Sequence, residues 1–226
     1  MISYHHFLFA QTLAIIVGAI SIICALRLLL VYKREKESIS LFMGICILGI
    51  GWIMLSFFAR SLLPVQHALT CTFIGLIGLW FMFPFGALFP LKFLSQEHWK
   101  ALGTIPFLIS LVSLGLFARE IVIKGGLIQE LLAIGFVPFS QLPSFAVSQA
   151  LIVVIILLIS GLFVYLLKIS SGTLRRKSLI LAIGFLLLLF LLPDIVCYGG
   201  DFLGIWRLGE LCSCTVLYYG FSLKPG

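Results

Sequence analysis

The chain has 226 residues, of which 62% are hydrophobic and only 10% are charged, and its formal net charge is +7. A typical soluble domain is about a quarter charged, so this chain holds too few polar side chains to cover a folded surface in water. Lipid accepts apolar side chains all round a bundle, and the composition therefore predicts an integral membrane protein. It excludes a soluble catalytic domain, and we read the positive charge as topology rather than nucleic-acid binding.

Seven apolar runs follow one another along the chain, and each reaches or approaches the roughly 20 residues that cross a hydrocarbon core. They lie at about Phe7–Tyr32, Ser38–Leu62, Ala68–Phe89, Ala101–Ala118, Phe145–Leu167, Ser178–Cys197 and Leu203–Leu223. The runs do not alternate apolar and polar residues as a membrane β-strand does. The predicted fold class is therefore all-α, a polytopic membrane helical bundle of about seven transmembrane helices that forms one domain over residues 1–226.

The basic residues predict the orientation of these helices, because cytoplasmic gaps are enriched in Lys and Arg. With the gap after the first helix inside, the cytoplasmic side holds Arg27, Lys33, Arg34, Lys36, Lys92, Lys100, Lys168, Arg175, Arg176, Lys177 and Lys224. The outer side holds only Arg60, Arg119, Lys124 and Arg207. This distribution predicts an N-terminus outside and a C-terminus inside. The long side chain of Arg27 is expected to reach from the first helix to the interface.

Two features inside the runs bear on helix packing. Glycines in the second and third runs, Gly44, Gly49, Gly51, Gly75 and Gly78, predict a close approach of helices. Pro84 is expected to kink or loosen the third helix.

The longest segment between runs, residues 119–144, has two open interpretations. Its apolar part, Leu127–Phe136, is compatible with a short interfacial helix on the outer surface. The alternative is an apolar loop that packs over the mouth of the bundle.

Ionisable residues at membrane depth are the first place to look for function. Glu210 lies in the last run with Arg207 three residues before it, so the two share a helix face and can pair. Asp194 closes the sixth run and Arg60 ends the second, both toward the predicted outer side. These four residues are the predicted ligand-binding site. The alternative is that they lie at the head-group boundary and pair with one another or with water.

The sequence lacks the residues that several kinds of site require. The four histidines lie near run ends or in gaps, which argues against haem ligation, and no run has a central Lys for a retinal Schiff base. The six cysteines form neither a CxxC motif nor an obvious metal pair. Cys71 and Cys197 both fall near the predicted outer face, where a disulfide between them depends on their geometry. No catalytic motif is present. We therefore predict a non-enzymatic protein without cofactor or metal.

The layout of the chain resembles the seven-transmembrane N-terminal region of prokaryotic sensor proteins of the histidine-kinase type. The resemblance rests on the segment from Leu48 to Leu55 (LGIGWIML) in the second helix. It also rests on the terminal run, which includes Arg207 to Glu210 and Leu217 to Phe221 and ends in Lys224-Pro225-Gly226. It implies a multi-pass protein of a prokaryotic inner membrane. In that family a similar last helix leads into a cytoplasmic signalling domain, whereas this chain ends after the helix.

The predicted function is a sensor or accessory membrane protein that responds at its outer half and acts through a membrane or cytoplasmic protein partner. One alternative is a small-solute transporter or the membrane subunit of one, although the sequence offers few polar groups near the midplane. Another is a structural subunit of a larger membrane complex, which needs no ligand site.

Overall fold

A computed structural model describes residues 4–63, 67–95, 97–133, 143–190 and 203–223. Every regular element in these ranges is helical, which agrees with the predicted all-α class. The helices are α1 (Tyr4–Glu35), α2 (Ser38–Leu62), α3 (Ala68–Leu94), α4 (Trp99–Ala133), α5 (Pro143–Ile169), α6 (Gly172–Leu187) and α7 (Leu203–Ser222). A short 3-10 helix, Leu188–Phe190, follows α6 directly.

Among the described residues, five helices are long and apolar enough to cross a membrane. Their candidate spans are Phe9–Glu35, Ser38–Ala59, Phe73–Leu94, Trp99–Gly126 and Ala150–Ile169, in α1 to α5. The helix α6 is shorter, with 16 residues, and α7 carries Arg207 and Glu210 in its first half. The chain is thus a helical membrane protein, while seven crossings and the orientation stay predictions.

The fourth helix differs most from its predicted length. It was expected to end near Ala118, but α4 continues without a break to Ala133. Both interpretations of residues 119–144, a separate interfacial helix and a loop, are therefore wrong for the first part of that segment. Gly125 and Gly126 do not end this helix. Residues 134–142 lie outside the described ranges.

The helices pack as an up-and-down bundle in which each helix contacts the next along the chain, from α1–α2 to α6–α7. Further contacts join α3 to α5 and α1 to α7. The helix α3 is central, with 72% of its candidate span buried, whereas α4 is peripheral, with 28% buried. All seven helices contribute to one apolar core.

The two ends of this bundle differ in charge. One end, called the basic end below, holds Lys92, Lys100 and Lys168 together with Arg27 and the segment Arg175–Lys177. It includes the last turns of α3, α5 and α7 and the first turns of α4 and α6. This is the end that the basic residues predict to be cytoplasmic.

The turn between α1 and α2 has only two residues, Lys36 and Glu37. Lys36 has a φ of 57°, in the left-handed region that commonly ends a helix, and its N–H donates to the Tyr32 carbonyl at 2.8 Å. Ser40 in the first turn of α2 donates its hydroxyl to Glu37 at 3.1 Å. These local bonds turn the chain back sharply and bring α1 and α2 together.

Glycines bring α2 and α3 into backbone contact, as the sequence predicted. A Cβ atom at Gly49 would lie 2.6 Å from the Gly78 carbonyl oxygen, and one at Gly78 would lie 2.7 Å from that of Gly49. A Cβ at Gly75 would approach Ser56 of α2 to 2.9 Å. No larger residue fits at the Gly49–Gly78 crossing unless the helices separate.

Pro84 lies inside α3, and the helix runs through it to Leu94. Proline has no N–H, so the carbonyl of Trp80, one turn earlier, lacks its α-helical donor. Ser110 of α4 supplies the missing bond, with its hydroxyl 2.6 Å from the Trp80 carbonyl oxygen. The gap that Pro84 makes in the backbone bonding thus joins α3 to α4.

The glycine crossing predicts a strong effect of one added methyl group. Gly78→Ala should destabilise the protein by about 1–3 kcal/mol, because the new Cβ meets backbone that cannot rotate away. Gly115→Ala is the matched control, since nothing lies within 4 Å of a Cβ at that position. Thermal unfolding in mild detergent measures both variants, and equal stability of the two would contradict the packing described here.

Because Ser110 bonds to the carbonyl that Pro84 leaves without a donor, mutations of these two residues should have coupled effects on the free energy of unfolding. Ser110→Ala should lower the free energy of unfolding by about 1 kcal/mol, because the Trp80 carbonyl is left without a donor. In a Pro84→Ala background the backbone N–H at position 84 is restored, so Ser110→Ala should cost less there. A double-mutant cycle on unfolding measures the difference, and strictly additive effects would show that Ser110 does not compensate for the proline.

Candidate functional site: a buried polar cluster between three helices

The last helix turns its charged residues into the bundle. Arg207 is 0% exposed and Glu210 is 1% exposed, although both lie in a chain with few charges. They are three residues apart, so they lie on the same side of α7, as the sequence predicted. That side faces α1 and α6, the two helices that contact α7. Both side chains are enclosed by protein, and the ligand-site and head-group interpretations both stay predictions.

Hydrogen bonds to α1 hold Arg207. Its Nη1 donates to the Ala10 carbonyl oxygen at 2.7 Å and to Oε1 of Gln11 at 3.2 Å. Gln11 is itself buried. A charged side chain at membrane depth costs about 2.5–3.5 kcal/mol on insertion scales, and bonds that carry the charge offset part of that cost. Arg207 therefore joins the first and last helices of the described chain.

The polar contacts continue along α7 toward the middle of the bundle. Ser21 of α1 and Cys214 of α7 are in hydrogen-bond contact, with 3.2 Å between Oγ and Sγ. Ser213 donates its hydroxyl to the Gly184 carbonyl of α6 at 2.8 Å. We call this set the buried polar cluster, and it consists of Gln11, Ser21, Arg207, Glu210, Ser213 and Cys214.

The cluster extends from the edge of the α1 span toward its middle. Arg207 is level with Ala10, near the start of the span Phe9–Glu35. Ser21, at the other end of the cluster, lies about 16 Å further along α1 at 1.5 Å per residue. A hydrocarbon core is about 30 Å thick, so the cluster occupies roughly half of it.

Two of the four predicted site residues remain untested by the geometry. The helix α2 includes Arg60 near its C-terminal end, but the Arg60 side chain lies outside the described part of the structure. Asp194 lies in the segment 191–202, also outside it. The structure thus brings Arg207 and Glu210 to one site and leaves Arg60 and Asp194 as predictions.

The sequence analysis missed the α1 side of the cluster. Gln11 and Ser21 were not singled out, yet a signal for them exists in the sequence. Small and polar residues recur every three or four positions along α1, at Gln11, Ala14, Gly18, Ser21 and Ala25. That spacing marks one helix face that is built for close helix contact and polar bonds.

The opposite end of α7 is held by cations from its neighbours. Arg27 of α1 is exposed and donates to the Ser222 hydroxyl at 2.6 Å, with its guanidinium 5.5 Å from the Tyr218 ring centroid. Arg176 of α6 donates to the Tyr219 hydroxyl at 3.2 Å. Positive charges are favourable at a helix C-terminus because its carbonyl groups carry partial negative charge.

Lys177 of α6 completes this arrangement. Its Nζ donates to the Leu223 carbonyl oxygen at 3.3 Å, just beyond the end of α7. Burial lowers the pKa of Lys177 below its usual value of 10.5, while the carboxylates of Glu37 and Glu35 act in the opposite direction and Arg27 adds to the lowering. A partly desolvated ammonium gains more from a carbonyl acceptor than an exposed one does.

The histidines and Cys71, which the sequence analysis also considered, form no second site in the described part of the chain. His67 and His98 are exposed, the side chains of His5 and His6 lie outside the description, and the described residues hold no group of three potential metal ligands. Cys71 is free in the structure, and Cys197 falls in the segment 191–202.

The chain matches no protein-family model, no curated protein and no solved structure. The resemblance to seven-helix sensor regions therefore rests on the layout of the chain and on the two segments named above, and it stays a prediction.

Removing the hydrogen bonds of Arg207 should destabilise the protein strongly. Arg207→Ala should lower the free energy of unfolding by about 2–4 kcal/mol, because it removes charge-assisted bonds to α1 and leaves a cavity among buried polar groups. Arg175→Ala is the control, since Arg175 is exposed at the basic end. Unfolding in mild detergent measures both, and a loss no larger than that of the control would show that Arg207 does not join α1 to α7.

Proposed function

We propose that this membrane protein is a non-enzymatic sensor or accessory protein in which α7 relays a change at the buried polar cluster to the basic end. The observation that carries the proposal is the layout of α7. One half of this helix holds two fully buried charges, and its last turn is held by side chains from the same two neighbours, α1 and α6.

A shift of α7 is coupled to both regions at once. Tyr218 lies about 16 Å from Arg207 along the helix axis, and an α-helix transmits axial movement over that distance as a rigid element. A ligand or a membrane change that alters the bonds of Arg207 therefore also alters the contacts of Arg27 and Arg176 with the last turn. In this proposal a partner binds at the basic end and responds to that change.

The buried polar cluster also favours two distinct positions of α7 relative to α1. Arg207 is enclosed in the present arrangement, so a ligand from outside reaches it only after α7 moves relative to α1. Breaking a bond to a buried charge is costly unless a new partner replaces it. An anionic ligand or a rearranged carboxylate is a suitable replacement, and Glu210, Asp194 and Arg60 stay the proposed participants at this site.

The proposal predicts a long-range effect of a neutral, nearly isosteric change. Glu210→Gln should raise amide hydrogen exchange at the basic end, in residues 172–178 and 219–223, because it removes a buried charge one turn from Arg207, whose bonds hold α7 against α1. Exchange measured by mass spectrometry in lipid nanodiscs reports this directly.

Cys212→Ala is the matched control, since Cys212 is exposed on the same helix two residues away. Exchange that changes only around Ala10, Gln11 and Arg207 in the Glu210→Gln variant would contradict the relay. A separate assay of solute uptake into vesicles tests the transporter alternative, because uptake that depends on Glu210 would replace sensing as the function.

A further inference from the structure

A groove lies between α3 and α4 on the surface of the bundle, away from the buried polar cluster. Its volume is about 280 Å³, and its walls include Ile77, Phe81, Pro84, Phe107, Ser110 and Leu111. Phe81 is 54% exposed and Leu111 is 66% exposed, so the groove opens outward to the surrounding lipid. The only hydroxyl among these six residues, that of Ser110, donates to the Trp80 carbonyl.

The groove is aligned with two lysines at the basic end. On α3 the lining residues Ile77, Phe81 and Pro84 continue at steps of three or four to Leu88 and Lys92. On α4 the corresponding series runs back from Leu111 through Phe107 to Gly103 and Lys100. The two series meet where Leu88 packs over Gly103, at 2.5 Å from the position of a Cβ. The line of contact between α3 and α4 thus leads from the groove to Lys92 and Lys100. The two helices touch at Leu88 and Gly103, so a chain that joins the two regions lies on the outer side of that contact.

Both lysines lie close to the ring of Trp99. Lys92 Nζ lies 5.5 Å from the Trp99 ring centroid and Lys100 Nζ lies 5.9 Å from it. The ring itself packs against Phe42 of α2, with 5.5 Å between centroids. The neighbouring Glu97 and His98 are both exposed. Two ammonium groups around one interfacial tryptophan form a site of positive charge at the level of lipid head groups.

The near end of the groove lies within one lipid leaflet of the lysines. Lys92 is about 12 Å from Pro84 and about 22 Å from Ile77 along the axis of α3. Half of a hydrocarbon core is about 15 Å thick, so an acyl chain whose phosphate lies at the lysines reaches the end of the groove at Pro84 and Phe107, while the end at Ile77 lies beyond the midplane.

We propose that α3 and α4 bind one anionic phospholipid, with its phosphate between Lys92 and Lys100 and an acyl chain in the groove beside Pro84 and Phe107. The charge of the two lysines selects the head group, because a zwitterionic lipid brings its own cation to the site. The apolar walls contribute the affinity for the chain. This inference does not rest on the sensor role or on the buried polar cluster.

Native mass spectrometry of the purified, delipidated full chain tests the head-group site. The protein is titrated with phosphatidylglycerol and with phosphatidylcholine that has the same acyl chains. We expect phosphatidylglycerol to bind more tightly, and the double variant Lys92→Ala/Lys100→Ala to bind it about 30-fold more weakly with little change for phosphatidylcholine. The control Lys33→Ala/Arg34→Ala removes two exposed charges from α1 at the same end. Equal binding of the two lipids, or equal losses in the two double variants, would overturn the proposal.

Fluorescence quenching tests the acyl chain position. In the variant Trp52→Phe/Trp206→Phe, Trp99 is kept because it contacts both lysines, and the emission comes from Trp99 and from Trp80, which lines the groove. A small fraction of phosphatidylglycerol with brominated chains should quench this emission more than brominated phosphatidylcholine does, and Lys92→Ala/Lys100→Ala should abolish the difference. Quenching that is equal for the two lipids would contradict the site. Displacement of the lipid by inorganic phosphate at similar concentration would show instead a site for a soluble anion.

Discussion

In lipid, every polar group that leaves water must find its partner inside the protein, and the described structure depends on this constraint. The backbone groups meet it by forming helices. Where Pro84 interrupts that bonding, Ser110 from the next helix donates to the Trp80 carbonyl at 2.6 Å. Where a guanidinium enters the bundle, the Ala10 carbonyl and Gln11 accept from it. In both cases the missing partner is supplied by another helix, so polar satisfaction also fixes which helices are neighbours.

Some pairs of helices are held together mainly by close packing, and others are held by buried polar bonds. At the crossing of α2 and α3, Gly49 and Gly78 let the backbones touch, and Trp52 adds a polar contact from its Nε1 to the Ile74 carbonyl oxygen at 2.7 Å. Between α1, α6 and α7 the contact is polar, through Arg207, Ser21 and Ser213. Apolar contacts lose little when helices slide, whereas buried polar bonds have few alternative partners. The polar interface is therefore the part of the molecule with discrete arrangements, and the proposed relay depends on it.

The basic end serves two roles in this description. Around α7, Arg27, Arg176 and Lys177 bond to the last turn and its carbonyl groups, where positive charge is favourable. Around Trp99, Lys92 and Lys100 lie on a different pair of helices, and the proposed lipid site is there. A net positive charge that the sequence explains as topology thus includes side chains with specific contacts. These two groups of cations act on separate elements, so the sensor proposal and the lipid proposal can fail independently.

The sequence alone determined the class and the order of the helices, because a long apolar run in lipid has only the helix available to it. The predicted second run, Ser38–Leu62, has the same bounds as α2. The shared face of Arg207 and Glu210 also followed from spacing alone. The sequence did not determine how far α4 continues, since a helix beyond the hydrocarbon core depends on neighbours as well as on hydropathy. Nor did it show that Gln11 and Ser21 face α7, or that Ser110 reaches Trp80, since contacts between distant segments arise only when the tertiary structure brings the helices together.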